Sequence, residues 1–112
     1  NYFKQKKHCL IWNVVEGVNN PFPITSDYLY VRLIGDRSIP DNQFGKIRKD
    51  KSKNIKNWAQ KLVKISDIPL ALVMANNHFE GFGPATANTL RENLGMRELI
   101  WEEKKQKTLG RF

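Results

Sequence analysis

Cysteine is almost absent from this chain. Cys9 is the single one in 112 residues, which excludes an intrachain disulfide and fits a reducing compartment. It lies in the apolar run CLIWNVV, where packing is the expected role rather than nucleophilic work. Long hydrophobic runs are missing too. Nothing approaches the roughly 18 consecutive apolar residues that a membrane helix needs. No charged segment leads into an apolar stretch and a small-residue cleavage site, so a cytoplasmic protein with no membrane partner is expected. Histidine is scarce: only His8 and His78 occur. His8 sits in a basic lead-in and reads as surface, and no second histidine or acidic partner lies at ligand spacing from His78, so no metal is expected. Acidic residues are outnumbered, 11 against 19 Lys plus Arg, for a formal charge of +8 and a pI near 9.8. That charge favours an anionic partner, or it only keeps a basic protein from associating. The length gives room for one α/β unit, 1–112, with a modest core, because a chain this short buries roughly two-thirds of its unfolded surface. The first residue is Asn rather than Met, which points to processing, to the choice of segment or to excision from something longer.

What is present is organised around residues 68–95. Residues 68–75 form a near-continuous apolar run opened by Pro69, the pattern of a parallel strand covered on both faces, and so of a central strand. The run stops at Asn76, Asn77 and His78. A glycine-punctuated turn, 80–84, leads into a helix in which Pro84 suits the first turn, Ala85, Ala87, Leu90 and Leu94 share one face, and Gly95 is the stop.

Upstream, residues 1–8 read as an exposed flexible lead-in, and 9–15 as a strand. Pro21 and Pro23 keep the connection that follows from becoming a helix. Residues 28–34 (YLYVRLI) form a second strand, followed by a long polar loop over 36–52 of the kind that is functional or disordered. Residues 54–65 carry Ile55, Trp58, Ala59, Leu62 and Val63 at helical spacing. A last helix is expected over 96–107, and 108–112 reads as a flexible end. Strands joined by a helical crossover run parallel, so the fold class is α/β. A sheet this thin with such apolar strands argues for a larger α/β body completed by further segments or by self-association.

The segment TSDYLYVRLIG (residues 25–35) resembles the Tyr-Val-Arg-Leu-His-Gly strand of the YecE-like family, also called domain of unknown function seventy-two. Trp58, Ala59 and MANNHFEGFGPATANTL (residues 74–90) resemble that family's Trp-Ala helix and its Asn-Asn-His, glycine, Ala/Asn signature. The likeness spans roughly residues 9 to 95. It implies a TIM-type (β/α) barrel of which this chain would be the C-terminal portion, and it implies no defined reaction. Ile34 stands where the family has His, and Ala75 where relatives have Phe.

In such barrels the site gathers at the C-terminal ends of the strands. The candidates are therefore Asn13 and Glu16 after the first strand, Arg32, Asp36 and Arg37 around the second, and Asn76, Asn77 and His78 after the third. Arg32 interrupts an apolar run, and a buried guanidinium needs a carboxylate or phosphate; an alternating strand would instead turn it to solvent. Asn76 and Asn77 have amide groups suited to hydroxyl or phosphate oxygens, or they serve as turn formers. His78 and Glu16 are the proton-transfer candidates. Gly81 and Gly83 open a helix and are weak anion-site candidates, as are Lys46, Arg48 and Lys49 in the basic loop 46–53. The leading expectation is an enzyme acting on a small phosphorylated or polyhydroxylated ligand, with no cofactor identified. The rival is a non-catalytic module that holds nucleic acid or another polyanion through the basic loop, although aromatics for base stacking are nearly missing there.

Overall fold

The computed structural model describes residues 2–15, 22–65 and 67–100. The elements run α1 (Tyr2–Lys6), β1 (Trp12–Val14), β2 (Tyr28–Leu33), a single 3₁₀ turn (Asp41–Gln43), α2 (Ser52–Val63), β3 (Leu70–Ala75), α3 (Asn77–Glu80) and α4 (Gly83–Asn93). The three strands form one sheet in the order β1-β2-β3, and both pairings are parallel. Branched and aromatic side chains favour the strands; helical spacing of apolar residues selects α2 and α4.

Alternation along β2 divides the sheet into two unlike faces. Leu29, Val31 and Leu33 are buried. With Trp12 they pack against Ile55 and Ala59 of α2, Phe79 of α3 and Leu90 of α4, and Val73 of β3 joins this layer half-buried. Each such side chain fully removed from water contributes about 1.5–3 kcal/mol, so this single layer is the core. The other face carries Tyr28, Tyr30 and Arg32, aligned in register with Leu70, Leu72 and Met74. No described element covers it: Leu70, Leu72 and Met74 are 51%, 43% and 55% exposed.

The expectation for residues 68–75 is therefore corrected. The strand exists, but it is an edge strand with one open face, and β2 is the central one. An apolar run reads the same whether its second face is covered by its own chain or left open. Within the expected exposed lead-in, Tyr2–Lys6 form a short helix, α1, with no buried residue. Residues 96–100 have no helical structure. There Asn88, itself buried, brackets Leu99 by donating from Nδ2 to its carbonyl at 2.8 Å and accepting from its N–H at 3.0 Å. The rest of the expected last helix and the terminal segment 108–112 lie outside the described residues.

Local contacts fix the ends. Thr25 Oγ1 donates to His8 O at 2.7 Å and accepts from Leu10 N at 2.9 Å, which ties the entry of β1 to that of β2. Trp12 Nε1 donates to Pro23 O at 2.9 Å, and its ring packs on Phe22 and Trp58. At the other end, Asn76 N donates to Leu33 O at 2.9 Å, so β2 and β3 stay paired up to the point where both chains leave the sheet.

Candidate functional site at the C-terminal strand ends

Because the strands are parallel, their C-terminal ends lie on one rim. Arg32 stands opposite Met74 on one side and Asn13 on the other. A cleft of about 230 Å³ opens there on the uncovered face, lined by Tyr30, Arg32, Leu33, Ile34, Met74, Ala75 and Asn76. The burial considered for Arg32 is not found: it is exposed on the open face, and no ion pair engages it among the described residues. It nevertheless shares the cleft with Asn76, and Ile34 forms part of the wall.

The asparagines serve the backbone first. Asn76 Oδ1 accepts from His78 N at 2.9 Å and caps α3. Asn77 Oδ1 accepts from Gly83 N at 2.8 Å, and Asn77 O accepts from Gly81 N at 2.7 Å. This spacing is what the short α3 and the start of α4 require, since the first N–H groups of a helix lack internal partners. It also means that the amides of Gly81 and Gly83, the donors expected to face an anion, are already engaged. Gly83 is held close for packing: a Cβ there would lie 2.6 Å from Ala75 O.

His78 is not in the Arg32 cleft. Its ring lies edge-on to Phe44 at 4.9 Å, and Nε2 is 4.0 Å from Asp41 Oδ1. Among the described residues, Nδ1 is buried without a hydrogen-bond partner, as is Asn13 Oδ1. Gly35, at φ +84, lets the loop after β2 approach the His78 backbone, because a Cβ would fall 2.5 Å from His78 O. Asp36 is committed to its own loop: it accepts from Ser38 N at 3.0 Å and pairs with Lys49 Nζ at 2.9 Å. Arg37 follows in the left-handed region at φ +63 and is exposed. Glu16, the second proton-transfer candidate, lies outside the described residues.

The basic loop is anchored rather than loose. Glu80 O accepts from Arg48 N at 2.6 Å and Lys49 N at 3.0 Å, and Gly81 O accepts from Gly45 N at 3.1 Å. Arg48 Nε donates to Gln43 O at 2.8 Å, while Lys46 is exposed. Asp50 Oδ1 accepts from Ser52 N at 2.9 Å; the Ser52 hydroxyl, then its N–H, hold the Asp50 carboxyl below its usual value.

Glu80 is the residue that sequence reasoning missed. It is 3% exposed. Oε1 accepts from the buried Thr86 hydroxyl at 2.7 Å, and Oε2 accepts from Lys51 N at the start of α2 at 2.9 Å. A carboxylate is favoured at a helix N-terminus by the helix dipole. The available signal was a lone charge in an apolar, glycine-rich stretch, FEGFG, the same argument that drew attention to Arg32. Among the described residues, no group of three or more His, Cys, Asp or Glu side chains is placed to hold a metal ion.

A family model described as protein of unknown function DUF72 matches residues 3–109. No curated protein and no solved structure matches the chain. The chain belongs to the DUF72 family, in agreement with the resemblance carried by residues 25–35 and 74–90.

Proposed function

We propose that this DUF72 protein binds a small phosphorylated or polyhydroxylated ligand at the C-terminal rim of its parallel strands, with Arg32 as the anion contact and Asn76 as the orienting group. The observation that carries the reading is that these two side chains, 44 positions apart in the sequence, line one cleft at the ends of adjacent parallel strands. Rims of this kind are where α/β proteins hold ligands. Arg32 offers a forked set of N–H donors suited to phosphate or carboxylate oxygens.

The wider setting is a sector of a parallel (β/α) barrel. Strands adjacent in the sequence are adjacent in the sheet, helices cover one face, and the other face is lined by apolar residues instead of the polar ones that water favours. Further barrel segments or a second copy would cover it. Enzymatic turnover needs a proton-transfer group at the cleft; Ile34 occupies the family's His position, and His78 points to Asp41 and Phe44, which leaves Glu16 as the residue to vary first.

The test is thermal unfolding with inorganic phosphate and sugar phosphates. At about 100 times its Kd a ligand stabilises by about 2.7 kcal/mol. A rise in Tm for the parent that Arg32→Ala abolishes supports the site, and an equal response from both proteins, or none, removes it. The polyanion reading predicts instead a response that survives Arg32→Ala, disappears when Lys46, Arg48 and Lys49 are neutralised, and falls steeply with salt. The engagement of Arg48 and Lys49 by Gln43 and Asp36 weighs against it.

A further inference from the structure

The anion site just proposed can be narrowed to a class of ligand. We infer that the cleft takes a small anion carrying a compact apolar or aromatic body, such as an aryl phosphate or aryl carboxylate, and not a sugar or other polyol. This rests on the reading of Arg32 as the anion contact.

Two features of the lining carry it. The first is the sign of its hydrogen bonding. A guanidinium has five N–H donors and no acceptor, and the carboxamide oxygen of Asn76 already accepts from His78 N. What Arg32 and Asn76 present is therefore mostly N–H donors, the second lone pair of the Asn76 oxygen being the exception. Phosphate and carboxylate oxygens only accept, so such a surface can satisfy them fully. Each sugar hydroxyl must also donate, and desolvating it against a donor surface leaves that proton without a partner, at a cost. Besides that lone pair, the side chains of the lining accept only through the Tyr30 hydroxyl and, weakly, the Met74 thioether, too few for the several protons of a polyol.

The second feature is the rest of the wall. Tyr30, Leu33, Ile34, Met74 and Ala75 make it apolar. Tyr30 provides a ring, and the Met74 thioether adapts to aromatic edges. A ligand whose oxygens meet Arg32 thus has apolar surface immediately beneath it. The cleft, about 230 Å³, is smaller than the roughly 300–1,000 Å³ that houses drug-sized ligands, which keeps the body to about one ring and excludes dinucleotides.

The experiment is calorimetric titration of the 112-residue chain with four probes: inorganic phosphate, phenyl phosphate, ribose 5-phosphate and ribitol. Phenyl phosphate is expected to bind at least about tenfold tighter than inorganic phosphate, from burial of its ring, and tighter than ribose 5-phosphate, while ribitol gives no signal. Arg32→Ala should abolish binding of phenyl phosphate. Met74→Glu, at an exposed position that folding tolerates, should do the same by placing a carboxylate beside Arg32, and Tyr30→Leu should erase the preference for the aryl probe. If phenyl phosphate binds no tighter than inorganic phosphate, yet both need Arg32, the anion site stands and this inference is overturned. Tighter binding of ribose 5-phosphate or ribitol overturns it as well. If no phosphate compound binds, both readings go.

Discussion

Replacing Glu80 by alanine should unfold this protein's site before it touches any ligand. The carboxylate accepts one hydrogen bond from the Thr86 hydroxyl and one from Lys51 N, 29 positions before it, joining α4 to the start of α2, and the main chain of the same residue holds Arg48 and Lys49. Hydrogen bonds to charged groups contribute about 1.5–3 kcal/mol each. The two together therefore set a gross loss of about 3–6 kcal/mol, offset in part because alanine no longer requires a buried charge to leave water. A net destabilisation of about 2–4 kcal/mol is expected. In a domain of this size that lowers Tm by roughly 10 to 25 °C. Glu80→Gln keeps the shape and one acceptor for Lys51 N, and its amide can donate to the Thr86 oxygen, so it should lose about half as much. Urea unfolding of the three proteins, read by fluorescence of the three tryptophans, of which Trp12 lies in the core and Trp58 packs against it, measures both values. The reasoning is refuted if Glu80→Ala stays within about 0.5 kcal/mol of the parent, the range of an ordinary surface change, or if the glutamine variant is the weaker of the two.

Three further outcomes follow from the packing and hydrogen bonds of the fold. Leu33→Ala, on the covered face, should cost about 2–5 kcal/mol, and Leu72→Ala, on the open face one strand away, less than about 1 kcal/mol; equal midpoints in urea would contradict the division of the sheet into two faces. Gly81→Ala should destabilise by about 2 kcal/mol or more, since positive φ alone costs an L-residue about 1–2 kcal/mol and its Cβ would collide with the Lys46 carbonyl. Gly95→Ala, whose added Cβ meets no atom of the described residues within 4 Å, should show the conformational cost alone, and matching losses for the two would refute the packing argument. The Asp50 carboxyl is held below its usual 3.8 by Ser52, so its stabilising contribution is fully present above the unfolded value and is lost as pH falls through the lower folded one. The Tm gap between the parent and Asp50→Asn should therefore close in acid, and a gap that persists at pH 2 rules this out.

The fold class was legible in the sequence because periodicity is local. YLYVRLI and LALVMA read as strands, the Ile55, Trp58, Ala59 and Leu62 spacing as a helix, and parallel direction followed from the crossover. The place of β3 was not legible: Leu70, Leu72 and Met74 are apolar, and periodicity records what a residue prefers, not whether a neighbour arrives to cover it. The short α1 and α3 escaped because four or five residues give no period. At the site, Arg32 and Asn76 could be named from strand ends, and the structure puts them in one cleft, while His78, two positions past the Asn76 cap, packs on the loop side against Phe44 and near Asp41. Gly81 and Gly83 read as anion donors until Asn77 is seen to occupy both amides. Glu80 was hidden because its partners, Lys51 and Thr86, come from separate segments.

The central claim is that the rim cleft at Arg32 and Asn76 receives the anion. Its most direct measurement is a phosphate titration followed by NMR through the Arg32 Nε–H and Asn76 side-chain amide resonances. Saturable shifts of both with a common Kd are predicted, with the 46–49 amides unmoved. Shifts confined to Lys46, Arg48 and Lys49, with Arg32 and Asn76 silent, would place the anion elsewhere and contradict the account.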